Sequence, residues 1–175
     1  MFKAIAVAVI ALLAALLIFA STKPDTFRVE RSTRIKAPPE KIFVLINDLN
    51  RWRSWSPYEK KDPAMKRTLT GAASGKGAVY EWEGNKEIGQ GRMEITESSP
   101  NSEVILKLDF VKPYEAHNIV EFTLKPQGDT TNVKWEMHGP ALFVTKLMQV
   151  FFNMDNMVGK DFEAGLANLK AVAEK

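Results

Sequence analysis

The chain has no cysteine and two histidines among its 175 residues. The missing thiols exclude a disulfide-stapled fold, a thiolate nucleophile, cysteine-ligated zinc or iron–sulfur centres and a cysteine-linked lipid anchor. Two imidazoles are too few for a histidine-rich metal site, so no metal or other cofactor is expected. No Ser-His-Asp order, His-Glu-x-x-His motif, phosphate loop or dinucleotide fingerprint occurs. Gly71, Gly75 and Gly77 lack the Gly-Lys-Ser/Thr ending and precede a strand pattern, so they read as a turn. A one-sided charge is also missing. The 24 basic and 21 acidic residues are scattered and leave a net charge of +3, with no basic arm to meet nucleic acid.

Charge is absent altogether from residues 4–20, an unbroken run of Ala, Ile, Val, Leu and Phe between Lys3 and Lys23-Pro24. Taking the first 20 residues away leaves roughly 39% apolar residues, the share of a soluble domain. At about 1.5 Å per residue, the run and its uncharged flanks just cross a bilayer core of roughly 30 Å. Residues 1–22 therefore read as an N-terminal membrane anchor, 23–26 as a linker and 27–175 as the folded domain. Two alternatives stay open. One is a cleaved signal peptide, against which Ile18 and Phe19 stand where cuts after Ala20 or Ser21 need a small residue. The other is a buried core helix. The side of the membrane is also open: Lys23, Arg28, Arg31, Arg34 and Lys36 favour a cytoplasmic domain, whereas a chain without thiols suits an oxidising compartment.

Beyond the linker the hydrophobic period is first two, then briefly helical, then two again. Residues 27–36 alternate, with Phe27, Val29, Arg31, Thr33 and Ile35 on one face. Ala37-Pro38-Pro39-Glu40 stops that strand and opens a short helix with Ile42, Phe43, Leu45, Ile46 and Leu49 inward. Six further runs alternate cleanly around Leu69, Tyr80, Met93, Leu106, Phe122 and Trp135, separated by Gly, Pro, Asn and Asp turns. That pattern predicts an antiparallel meander with one wet and one apolar face. After Gly139-Pro140, apolar residues recur every three or four positions from Phe143 to Val172. They predict a helix of about 30 residues, broken near 153–159 and buried on the apolar sheet face. The fold class is α+β: one curved antiparallel sheet with its helices on one side.

Several strings in this order resemble the START-like, Bet v 1-like helix-grip superfamily (SRPBCC), in its polyketide cyclase/dehydrase and lipid-transport branch. They are Ile35-Lys36-Ala37-Pro38-Pro39-Glu40-Lys41-Ile42-Phe43, Trp52-Arg53-Ser54-Trp55-Ser56-Pro57-Tyr58, Gly75-Lys76-Gly77-Ala78-Val79-Tyr80-Glu81-Trp82 and Gly89-Gln90-Gly91-Arg92-Met93. A terminal helix around Gly159-Lys160-Asp161-Phe162-Glu163-Ala164-Gly165-Leu166 completes the likeness. The resemblance implies a sheet wrapped around the last helix, with an elongated apolar cavity between them for lipids, polyketides or other hydrophobic ligands. Fold alone does not decide activity.

By parity the inward set is Tyr80, Trp82, Met93, Ile95, Leu106, Leu108, Phe110, Phe122, Trp135 and Met137, facing Met154, Met157, Val158 and Phe162 of the long helix. These residues form either a packed core or the wall of a ligand cavity, for which methionine and tryptophan are adaptable linings. Arg31 and Arg67 share the inward parity, where a guanidinium needs a partner: a ligand carboxylate or phosphate, or solvent at a sheet edge. His117 and Tyr114 are the acid–base candidates, His138 falls on the wet face, and the run Glu59-Lys60-Lys61-Asp62 reads as solvated surface. Residues 141–158 are apolar beyond one stripe, which points to contact with a bilayer or to cover by the short helices and the Trp52/Trp55 segment. The leading expectation is a membrane-tethered binder or carrier of a hydrophobic small molecule or lipid. A cyclase- or dehydrase-like enzyme and a protein-interaction module presenting Trp52, Trp55 and Tyr58 are the alternatives.

Overall fold

The computed structural model describes residues 2–151 and 153–175; the side chain of Met154 lies outside the described residues. Helix α1 (Phe2–Ser21) is followed by strand β1 (Thr26–Ile35), helix α2 (Pro39–Asn47), a 3-10 turn (Leu49–Ser54) and the short helix α3 (Pro57–Lys61). Six strands then run in sequence: β2 (Lys66–Gly71), β3 (Ala78–Glu83), β4 (Gln90–Ser99), β5 (Glu103–Lys112), β6 (Ala116–Gln127) and β7 (Thr130–Pro140). Helices α4 (Phe143–Phe151) and α5 (Met154–Ala173) close the chain.

The seven strands form one antiparallel sheet in the order β1-β7-β6-β5-β4-β3-β2, the expected meander with the first strand returned to the β7 edge. Register shifts at Gln90/Gly91 and Ile95/Glu97 bend β4 against β5 and help curl the sheet. The apolar parity set lines the concave side. One cross-strand row runs Val29, Met137, Val120, Leu106 and Ile95, and the next runs Arg31, Trp135, Phe122 and Val104.

Helix α2 starts at Pro39, whose missing N–H costs nothing in a first turn. It buries Ile42, Phe43, Leu45 and Ile46. Its C-terminal carbonyls would lack partners, and two indoles supply them: Trp52 Nε1 donates to Ile46 O at 2.8 Å and Trp55 Nε1 to Leu45 O at 2.9 Å. Both tryptophans are consequently buried. This corrects the expectation that they form an exposed protein-contact patch. The aromatics at the end of the helix are its cap and the floor of the core.

The predicted break in the last helix is at Asn153, whose side chain accepts from Asn156 N at 3.0 Å and caps α5. Helix α5 lays Phe162, Leu166, Leu169 and Ala173 on the sheet, chiefly over β1. Helix α4 departs from the expected burial on the sheet, and keeps exposed the apolar surface that exceeds one stripe. None of its residues is buried; it leans on α1, and Leu142, Phe143, Val144 and Phe151 stay about half exposed. Helix α1 offered the nearer apolar surface, a pairing that periodicity within residues 143–172 does not encode.

Candidate ligand-binding site

The concave face divides into two halves. In the sealed half, Leu106, Phe122, Trp135 and Phe162 are shut off from solvent. Trp135 stacks on Phe162 with ring centroids 4.1 Å apart, and Trp52, Trp55 and Phe122 pack around it. These four of the predicted ligand-contacting residues are close-packed core here. The other half is more open. Phe27, Leu108, Met93 and Phe110 are half-buried, and β4 makes its substantial contacts with β3 and β5, not with a helix. Tyr80, Trp82 and Met137 border this half and are buried, with Trp82 packed edge-on to Phe110 at 5.7 Å. Met157 is half-exposed on the first turns of α5, turned away from the sheet by the break at Asn153. Met154 was predicted beside it, but its side chain lies outside the described residues.

Neither inward arginine is free for a ligand anion. All five N–H donors of Arg31 are engaged. Nε donates to Glu163 Oε1 at 2.7 Å; Nη1 to Glu30 O at 2.7 Å and Asp155 Oδ1 at 2.9 Å; Nη2 to Asp155 Oδ2 at 3.0 Å and Asp155 O at 3.1 Å. A Cβ at position 159 would collide with this guanidinium, so Gly159 provides the space that lets β1 be pinned to α5. The hydrogen bonds from Arg31 hold the Asp155 carboxyl below the usual range.

Arg67 pairs with Glu59, Nε donating to Oε2 at 2.7 Å, and Tyr80 OH donates to the other carboxylate oxygen at 2.7 Å. The Glu59 and Arg67 side chains are 10% and 14% exposed. Burial, joined by the Glu59 carboxylate, raises the Tyr80 phenol above its ordinary value. Glu59 is therefore not the solvated surface residue its charge run suggested. The available signal was Arg67 itself, since an inward-parity arginine demands a carboxylate and Glu59 is a near one in sequence.

The acid–base candidates are elsewhere. His117 is on the convex face, 57% exposed, with Nδ1 2.6 Å from Asp109 Oδ1. Tyr114 is exposed in the β5–β6 connection. The Asp109 hydrogen bond raises the His117 pKa above its ordinary value. The folded value thus exceeds the unfolded one of about 6.5. The pair stabilises the fold fully below that pH, and its contribution is lost as pH rises through the folded value. Replacing Asp109 by Asn is expected to bring the NMR titration midpoint of His117 back down toward about 6.5; an unmoved midpoint would refute the pairing. Among the described residues, no three His, Asp or Glu side chains converge to hold a metal ion.

Among the described residues, two cavities lie away from Leu108, Met93 and Phe110. One, of about 510 Å³, lies where the linker meets β1 and the α4–α5 junction, walled by Lys23, Pro24, Phe27, Val150, Phe151 and Asp155 among others. The second, of about 570 Å³, is lined by the convex cross-strand row Arg28, His138, Ile119 and Lys107 and also by Phe27, Asn118 and Gly139. Its basic groups are already paired, Arg28 with Glu136 at 2.8 Å and Lys107 with Asp109 at 3.0 Å.

The family described as polyketide cyclase/dehydrase and lipid transport matches residues 26–174. A comparison with curated proteins finds no match. Among solved structures, the chain is similar to protein CV1439 from Chromobacterium violaceum, with 17% identity and a TM-score of 0.60, covering 87% of this chain and 99% of that one. It is similar to the Aha1 dimer from Colwellia psychrerythraea, with 19% identity and a TM-score of 0.58 over 85% of this chain and 96% of that one. Protein MLL2253 from Mesorhizobium loti shares 20% identity at a TM-score of 0.56 over 84% and 95%. Identities this low speak for the helix-grip fold alone, as the sheet curled around α5 already does. With the family match spanning nearly the whole folded part, the chain belongs to the polyketide cyclase/dehydrase and lipid-transport family of the SRPBCC superfamily.

Proposed function

We propose that the protein binds a hydrophobic small molecule or lipid on the open half of its concave face, tethered to a membrane by α1. The observation that carries this reading is the half-buried group Phe27, Leu108, Met93 and Phe110, apolar side chains from two adjacent rows of a concave surface that no helix fully covers. Such surface, curved and edged by Tyr80 and Trp82, has the chemistry of a ligand site. Tethering is supported by α1, which is long and apolar enough to cross a membrane and exposed along almost its whole length. The half-exposed apolar residues of α4 beside it suit the same lipid surface. A covalent mechanism gains no support: His117 faces the opposite side of the sheet from this group, and Tyr114 is in a surface turn.

The test is native mass spectrometry of the detergent-extracted full chain, after alkaline carbonate washing of the membranes that contain it. A chain that stays with the washed membranes and carries the added mass of an apolar molecule is the expected result. A chain that remains ligand-free after incubation with a total lipid extract would overturn the binding role, and release by carbonate would overturn the tether.

A further inference from the structure

Three buried side-chain atoms among the described residues have no hydrogen-bond partner: Asn118 Oδ1, Trp135 Nε1 and His138 Nδ1. Such atoms are uncommon, because each costs about 1–3 kcal/mol of unreturned desolvation. Trp135 is enclosed by aromatic rings in the sealed half, where no ligand atom fits. His138 faces the convex side, 3.4 Å from Glu136. Asn118 is different. It sits on β6 with concave-facing parity, opposite Leu108 on β5 and with its Oδ1 against Gly139 of β7, and is 5% exposed. Its row continues through Leu108 to Met93, the same row that leaves apolar surface open. The carboxamide fits there because Gly139 has no side chain; a Cβ at 139 would collide with Asn118 Oδ1.

Resting on the proposed binding role, we propose that the ligand is a neutral amphiphile whose polar end carries a hydrogen-bond donor, a hydroxyl or amide N–H, received by Asn118 Oδ1. The apolar body lies along Leu108, Met93 and Phe110. Neutrality follows from the surroundings. From Asn118 to Met93 the row holds no ionisable side chain; the Tyr80 phenol that follows Met93 already donates to Glu59, and the two inward arginines have their guanidinium groups committed to Asp155, Glu163 and Glu59. A carboxylate or phosphate brought there would be desolvated without a counter-ion. A hydroxyl instead returns the hydrogen bond that Asn118 lacks.

The test titrates the detergent-solubilised full chain calorimetrically with 1-decanol and with decyl methyl ether, which share a chain but differ in the donor. The alcohol is expected to bind roughly tenfold more tightly, the value of about one hydrogen bond, and the preference is expected to vanish in Asn118→Leu. Equal affinities in the natural protein overturn the inference while leaving the binding role standing. A preference that survives Asn118→Leu overturns the assignment to Asn118. Binding of neither compound overturns the binding role itself and the inference with it. Should Asn118→Leu fail to fold, Asn118→Asp, which keeps the size but not the neutral acceptor, takes its place: a tenfold alcohol preference unchanged there overturns the assignment to Asn118.

Discussion

Alanine at position 162 is expected to remove about 3–5 kcal/mol of stability, the usual cost of deleting a fully enclosed phenyl ring. Phe162 is 1% exposed and lies against Trp135 with a 4.1 Å centroid separation and an interplanar angle of 11°. The void left behind would be walled by Trp135 and its aromatic neighbours Phe122, Trp52 and Trp55. The Trp52 and Trp55 indoles are held by hydrogen bonds to α2, so they collapse into the space poorly. Leu108→Ala in the open row is expected to cost less than half as much, because a half-buried side chain already has solvent on one side. Urea midpoints for both variants at an unchanged slope would measure the contrast. A Phe162→Ala loss below about 2 kcal/mol would mean that the sealed half is loosely filled and available to ligand after all. The comparison thus separates residues that hold the fold from residues left for binding.

Loss of the Glu59 carboxylate is the second large effect. In Glu59→Ala the Arg67 guanidinium keeps its buried position without its charge partner, and the Tyr80 hydroxyl loses its acceptor. Removing one member of a buried pair costs about 3 kcal/mol or more, which for a domain of this size lowers Tm by roughly 6–12 °C. The double change Glu59→Leu with Arg67→Met is expected to recover most of that loss, since well-packed apolar residues replace buried ion pairs at little cost. Thermal melts of the two variants check both statements. A single variant that melts within 2 °C of the parent, on the order of the shift from less than 1 kcal/mol, would show that water reaches Arg67 and that α3 is not fastened to β2 and β3 by this cluster.

The strands and the meander of the last six were legible because Tyr80, Leu106, Phe122 and Trp135 keep strict parity and short turns join their strands, both local properties of the chain; the place of β1 beside β7 was not. The helix break was legible for a similar reason, since Asn153 interrupts the apolar repeat. What stayed hidden depends on contacts distant in sequence. Trp52 and Trp55 look like surface aromatics until the unpaired carbonyls of Leu45 and Ile46 are seen beside them. Helix α4 is apolar beyond one stripe, and the surface it finds is α1, more than a hundred residues earlier. Of the candidate site, the sequence placed the inward residues on the right face but could not divide them into sealed and open halves. That division depends on how far α5 reaches across the strands. Asn118 was unmarked because one amide within an alternating strand carries no period of its own.

The connection between α1 and β1 is residues 22–25, four positions that even fully extended reach about 14 Å. They are not free to extend: Asp25 O accepts from Ala141 N at 2.8 Å, and the Asp25 carboxylate is bonded to Lys146. Under the proposed tether through α1, the domain therefore has almost no leash. A binder so held would not swing out to meet a distant acceptor or shuttle cargo across an aqueous gap. On that proposal exchange takes place within a molecular diameter of the membrane surface, with the lipid leaflet itself or with a partner that comes to that surface.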